Sequence, residues 1–241
     1  MSVSVESQFQ VSEETIDDEV ASWKPDALLL LAGKRKSGKD FVATLLEQSL
    51  AHNSQESVSI IPVHISNPLK REFAQLHGLT YEELLTTSQY KELYREAMVA
   101  WGEEVRKRDS AYFCRLAVQE AVSLRKGDAD ITVLIICDCR RHSDITFFED
   151  SFDLKSVVVR VRVEATESVR RQRGWVFVPG IDDQETECDL DDELKWNCIL
   201  HNDDSSIYNQ VDVLSRHILA STISRKHNPT VPFTFQLIFR R

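Results

Sequence analysis

The chain has 241 residues, 42% hydrophobic and 28% charged, with a formal net charge of -10, which suits a globular chain with length for one large core. That acidity excludes non-specific binding to nucleic acid or anionic membrane, so clustered basic residues belong to local sites. No apolar run reaches membrane-spanning length, and five cysteines without a paired framework read as reduced thiols.

Residues 1–24 are rich in Ser and acidic side chains, including Glu13, Glu14, Asp17, Asp18 and Glu19, and are expected to form a disordered acidic tail. Met1 to Val11 carry neither the positive start nor the apolar segment of a secretory signal, so a cytosolic protein is expected. Ala27 to Ala32 holds four consecutive leucines, the pattern of a central strand covered on both faces. Gly33-Lys34-Arg35-Lys36-Ser37-Gly38-Lys39-Asp40 follows, with two glycines five apart and Lys39 directly after. That spacing suits a loop whose backbone N–H groups wrap phosphate oxygens while the next helix aims its positive dipole end at them. Lys39 is expected to reach the terminal phosphates. Asp40 stands where Ser or Thr commonly offers a hydroxyl to Mg²⁺, and a carboxylate is itself a hard-oxygen ligand for that ion.

Phe41, Leu45 and Leu46 share one helical face, and Val58 to Ile65 reads as a strand whose Pro62 assigns it to a sheet edge. Asn67 followed by Pro68 predicts a helix capped by Asn67. Tyr81 to about Leu124 is helical in pattern, with a break near Asp109 and Ser110. This region carries Lys70, Lys91, Arg95, Arg106 and Arg115, which we expect to form an acceptor pocket beside the phosphate loop. Ile131 to Cys137 is a second buried strand ending in Asp138-Cys139-Arg140-Arg141. An acid at that end of a strand is where a magnesium-organising carboxylate belongs, and arginine forks there match phosphate or carboxylate oxygens.

Ser156 to Val163 predicts a third strong strand, and residues 166–194 a mobile lid that brings Arg170 and Arg173 over nucleotide phosphates. Trp196 to Leu200 is expected as the last short strand, with Asn202 at its end, and Ile207, Val211, Leu214 and Ile218 form one face of a closing helix. Alternating apolar residues from Val231 to Phe239 repeat the strand pattern inside a C-terminal extension, residues 222–241, of no assigned role. Residues 25–221 are thus expected to form one α/β domain. Its fold class is a three-layer P-loop NTPase fold, with about five parallel strands and helices on both faces.

The candidate site is dominated by cations and lacks a nucleophile paired with a base. Phosphoryl transfer needs positioning and charge neutralisation more than covalent chemistry, so such a site fits it. An acceptor that is itself a phosphate monoester, with a second pKa near ~6, is already largely anionic at neutral pH and needs no general base. These features favour a kinase acting on a phosphorylated small molecule.

Gly33 to Val42, Pro68-Leu69-Lys70, Tyr90-Lys91-Glu92, Trp101-Gly102-Glu103-Glu104, Phe113-Cys114-Arg115, Arg140-Arg141 with Ser143-Asp144-Ile145, and Arg173-Gly174-Trp175-Val176-Phe177 followed by Pro179-Gly180 carry a further signal. From about Leu28 to about Ile218 the chain resembles the animal-type phosphomevalonate kinase family. The resemblance implies a nucleoside monophosphate kinase-like fold and transfer of the ATP γ-phosphate to (R)-5-phosphomevalonate, with Mg²⁺, in isoprenoid and sterol precursor synthesis.

It implies that Gly33, Lys34, Arg35, Lys36, Ser37, Gly38, Lys39 and Asp40 hold ATP and that Arg173 is a lid contact. Lys70, Lys91, Arg95, Arg115, Arg140 and Arg141 would meet the acceptor or the transferring group, and Asn202 would lie near substrate or nucleotide. From the residues themselves we add Arg106 and Asn202 to the acceptor set, take Lys39, Arg140, Arg141 and Arg173 as catalytic residues, and assign Asp40 and Asp138 toward the metal. His142 and His201 depart from the apolar and acidic residues common in the family at those places. A cytosolic monomer acting on small molecules, without nucleic acid or membrane partners, is expected. A (deoxy)nucleoside monophosphate kinase is the alternative, sharing loop, helix start and lid but needing a pocket for a base.

Overall fold

The computed structural model describes residues 23–86, 89–125, 127–152, 156–191, 195–228 and 236–239. Strand β1 (Ala27–Ala32) is buried along its whole length and lies between β3 (Ile131–Cys139) and β4 (Val157–Glu164), parallel to both. Its leucines explain this central place. Side chains alternate across a strand, so Leu29 and Leu31 join one core layer while Leu28 and Leu30 join the other.

The first layer is covered by α1 (Lys39–Asn53) and α9 (Ser206–His227), through residues such as Val42, Leu46, Val211 and Leu214. The second is covered by α5 (Tyr112–Ser123) and α6 (His142–Phe152), through Phe113, Val118, Phe148 and Phe152.

Parallel strands β2 (Val58–Val63) and β5 (Cys198–His201) extend the sheet, giving the expected five-stranded core. The two-residue β6 (Leu237–Ile238) adds beside β5, for the order β2-β3-β1-β4-β5-β6. Pro62 therefore lies on an edge strand, where its missing N–H breaks no second ladder. The alternating C-terminal pattern contributes a strand only at residues 237–238, and residues 231–235 of that expectation lie outside the described residues. Helix α9 runs on to His227, past the boundary expected at residue 221. Of the expected acidic tail, residues 1–22 are outside the described residues, while Trp23 packs against Phe152 in the core.

The remaining helices follow the sheet's carboxyl ends. Helices α2 (Ser66–His77), α3 (Tyr81–Leu85) and α4 (Gln89–Arg108) enclose a smaller core of Phe73, Ala74, Leu84 and Met98. The expected break at Asp109 and Ser110 separates α4 from α5. Short helices α7 (Glu167–Gln172) and α8 (Glu185–Cys188) lie within the segment expected as a lid.

Asn67 does not cap α2, which begins one residue earlier and makes no side-chain cap of its own. The acceptor comes from across the sheet edge instead: Asp138 of β3 accepts the Ile65 N–H at 2.7 Å and the Ser66 N–H at 3.2 Å. No described helix is long and apolar enough to cross a membrane.

Leu29→Ala, at a fully buried central position, is expected to cost about 3 kcal/mol of unfolding free energy. Leu93→Ala, at a position 77% exposed, should stay within about 0.5 kcal/mol of the parent. Urea titrations giving equal losses for the two would contradict this core.

Candidate active site

The loop between β1 and α1 is shaped by close approach. A Cβ at Gly33 would run into the Val163 carbonyl, and one at Gly38, where φ is 90°, into the Asn202 amide. Lys36 takes a left-handed φ of 62°, and the Ser37 N–H closes the turn on the Lys34 carbonyl at 3.1 Å. Helix α1 starts from Gly38 with no side-chain cap, so its first amides remain open toward an anion. Ser37 Oγ is buried and has no hydrogen-bond partner among the described residues.

Lys39 is buried and its Nζ donates to the Gly33 carbonyl. Burial, followed by the charge of Arg140, lowers its pKa to about 7.

The far side of the loop is gripped by residues distant in sequence. Arg173 Nη1 donates to the Ser37 carbonyl at 3.0 Å and its Nη2 to the Asn202 carbonyl at 2.7 Å. Asn202 Nδ2 also donates to the Ser37 carbonyl, at 2.8 Å. Arg170 reaches the Arg35 carbonyl at 2.8 Å and lies 4.1 Å above the Trp175 ring.

The carboxyl ends of β2 and β3 form the opposite wall. Both oxygens of Asp138 accept the backbone amides that open α2, and His64 Nδ1 stands 3.8 Å from Oδ2. Burial pulls the His64 pKa down, but the Asp138 carboxylate beside it, together with Cys137, prevails and raises it to about 10. Burial works against the Asp138 carboxylate as well, yet His64, and after it the Ser66 side chain and the charge of Lys70, hold it well below the usual range. Lys70 donates to Ser66 Oγ at 2.9 Å, and burial lowers its pKa, with Arg140 and Arg95 adding to the effect. Lys91 is lowered to about 8 by burial, then by Lys70 and Arg95. Lys39, Lys70, Lys91, Arg95 and Arg140 therefore share one repulsive field.

Other expected acceptor ligands have protein partners. Arg95 pairs with Glu92 on its own helix, its Nε 2.7 Å from Oε2. Arg115 holds Asp109 at the α4–α5 junction. Arg106 turns toward Asp144, Nη2 to Oδ1 3.9 Å, leaving its buried Nε without a partner among the described residues. Arg140 and Arg141 diverge: Arg140 pairs with Glu187, whereas Arg141 pairs with Glu103 of α4 and, at 3.0 Å, with Glu185 of α8.

The acidic run after Pro179 thus lies on the cations. Asp182 holds Arg35 at 2.7 Å and the Trp175 Nε1–H at 3.0 Å. Glu187 Oε2 accepts the Arg35 N–H at 3.1 Å, and Asp191 pairs with Lys34 and, at 2.6 Å, with Arg162. Sequence spacing does not reveal the partners that join this run to the phosphate loop, which are about 150 positions apart. Charge complementarity between the basic loop and the acidic run is the one signal that points to them. Asp40 is exposed at the start of α1, and its charge is felt by Lys39, Lys70 and Lys91.

A glycine loop with its lysine at the carboxyl edge of a parallel sheet, faced by cations rather than by a nucleophile and base, defines a P-loop phosphotransferase. The profile of the phosphomevalonate kinase family matches residues 31–154. A phosphomevalonate kinase of Drosophila melanogaster is 36% identical over 188 residues, spanning 78% of this chain and 94% of its own. The chain belongs to the phosphomevalonate kinase family.

Solved structures similar to it include a Thermus thermophilus protein at 15% identity and a TM-score of 0.43, covering 82% of this chain and 98% of its own. Another is the APS kinase of Mycobacterium tuberculosis, at 11% identity and a TM-score of 0.42, covering 84% and 99%.

With free Lys39 held at about 7, an arriving phosphate raises its pKa and restores its proton. ATP binding at pH 8 is therefore expected to take up part of a proton, and Lys39→Met to lose that uptake. Calorimetry in buffers of different ionisation heat measures it. Equal uptake by both proteins would refute the assignment.

Proposed function

We propose that this site passes the γ-phosphate of ATP to (R)-5-phosphomevalonate, giving the 5-diphosphate and ADP, with separate cations holding the two anions. The protein is a kinase of its family, and its substrates are ATP and phosphomevalonate. The observation that carries the division is the convergence of Lys39, Lys70, Lys91, Arg95 and Arg140 on one site, where burial first and the neighbouring cations second lower the three lysines. Such crowding is relieved by a second anion facing the first across the phosphate loop.

On the nucleotide side, the amides of residues 33–40 and Lys39 hold the phosphates, with Ser37 Oγ as a further donor. Arg173 approaches them from the lid, residues 166–194. Lys70, Lys91, Arg95, Arg140 and Arg141 take the acceptor's phosphate and carboxylate, with Arg106, Arg115 and Asn202 around them. The acceptor oxygen is anionic at neutral pH, its second pKa being about 6, so attack needs alignment and no base.

Substrate phosphates displace lid carboxylates such as Glu187 from Arg140 and Arg35, which couples filling of the site to lid movement. Arg140, between Lys39 and the acceptor cations, then neutralises charge on the transferring group.

Among the described residues, no group of three or more His, Cys, Asp and Glu is arranged to hold a metal ion. The exposed carboxylate of Asp40 fits Mg²⁺ beside the phosphates, and Asp138, whose oxygens each accept one amide at the start of α2, keeps a further lone pair on each with which it would face the ion. When bound, Mg²⁺ neutralises phosphate charge. We further propose that the enzyme works as a cytosolic monomer on small molecules alone, in keeping with the net charge of -10.

The direct test is ADP release from Mg²⁺-ATP with (R)-5-phosphomevalonate, mevalonate or nucleoside monophosphates as acceptor. Turnover with phosphomevalonate alone is expected, and turnover with a nucleotide instead would overturn the acceptor assignment.

Lys39→Met should lower kcat by about 10³-fold or more, and Arg173→Met should lower kcat more than it raises either KM. Wild-type rates in these variants would defeat their roles. Because Lys91 titrates at about 8 in the free enzyme, it is charged below that pH and loses its charge above it. The acceptor KM should therefore rise between pH 7 and 9 in the wild type. In Lys91→Arg it should stay nearly flat, and the same slope in both proteins would count against Lys91 as a ligand.

A further inference from the structure

Asp144 is fully buried at the first turn of α6, and none of the roles above uses it. Its Oδ2 accepts the Arg140 N–H at 2.9 Å and the Arg141 N–H at 3.1 Å. Its Oδ1 lies 3.9 Å from Arg106 Nη2 and 3.5 Å from Cys114 Sγ. A carboxylate at zero exposure persists only where charge and hydrogen bonds offset its desolvation. Here that compensation comes from the corner bearing the twin arginines and from the helix that faces it.

We infer that Asp144 is the positioning residue that sets the directions in which Arg140 and Arg141 leave the end of β3. The two arginines occupy the corner between Cys139, the last residue of β3, and His142, the first of α6. Amides at a helix start lack acceptors within the helix. One oxygen holding both amides restricts the backbone at that corner, so the two guanidinium groups are sent apart. Arg140 goes toward Glu187 and the field of Lys39, whereas Arg141 goes toward Glu103 and Glu185.

The other oxygen faces Arg106, whose guanidinium lies 5.1 Å over the Phe113 ring. Arg106 belongs to α4, the helix that also carries Lys91 and Arg95. A single buried carboxylate thus links the twin-arginine corner to the helix bearing the other acceptor cations. It touches neither substrate, and it acts by fixing the distance between two sets of charges. This inference rests on the proposed role of Arg140 and Arg141 toward the acceptor.

Three proteins and one exchange measurement test it. Asp144→Asn keeps an oxygen for the amides but removes the charge facing Arg106. It is expected to stay folded, to raise the acceptor KM and lower kcat by about tenfold each, and to leave the ATP KM within about twofold. Asp144→Leu, which removes both functions, should show the same split more strongly. A role confined to stability would lower the melting temperature with kcat and both KM values unchanged per folded site, and that result would overturn the inference. Equal increases in the two KM values would overturn it as well.

Hydrogen exchange of the Arg140 and Arg141 amides in the wild type needs no variant to fold. Slow exchange at both is expected, and exchange at the rate of an open loop would overturn the clamp even if the acceptor proved to be a different molecule. Conversely, slow exchange in a protein without phosphomevalonate turnover would leave the clamp intact and reject the acceptor assignment.

Discussion

Positive charge has to be concentrated at the carboxyl edge of this sheet before any substrate arrives, and much of the surrounding structure answers that repulsion. Lys39, Lys70 and Lys91 are all held below their ordinary pKa by burial and by one another's neighbours. Left alone, such a cluster would splay into solvent or lose its protons. Carboxylates drawn from separate parts of the chain hold it together instead. The sheet supplies the rigid base for this, since β1 is buried on both faces and its end delivers Gly33 directly against β4.

The carboxylates are of two physical kinds. Asp138 and Asp144 are buried and each accepts two backbone amides, one at the opening of α2 and the other at the corner before α6. They are part of the frame, because removing either would leave buried amides and a cation without partners. The carboxylates of the run from Asp182 to Asp191 pair mainly with arginine and lysine side chains, several of them partly exposed. Such pairs contribute little individually to stability, and an anion of higher charge can replace them. This contrast gives the proposed cycle its economy: fixed anions orient the cations, and exchangeable ones hold them apart until phosphates take over.

Local patterns in the sequence carry a large part of the fold. Four leucines in a row can serve only a strand covered on both faces, and Pro62 suits only an edge, because each statement depends on the residue's own chemistry. Asn67 shows where local logic stops. It has the chemistry of a cap and stands before a proline, yet an aspartate more than 70 positions away does the capping. Arg106 and Arg115 resemble the other cations of the helical region, but one faces Asp144 and the other Asp109. A list of basic residues cannot distinguish a charge with an internal partner from one left facing the gap.

The sequence by itself therefore determined the chemistry available: a phosphate loop ending in Lys39, a buried strand before it, a helix after it, and an arginine-rich set without a nucleophile and base. These follow from short-range spacing and from the conformations that glycine and proline permit. Only the tertiary structure decided which charges meet. It seats Arg173 and Asn202 on the Ser37 carbonyl, lays Glu187 between Arg35 and Arg140, and buries Asp144 against the twin-arginine corner. The physical reason is that an ion pair acts over a few ångströms of space and carries no trace in sequence separation, so its partners are fixed by how the sheet brings distant loops to one edge.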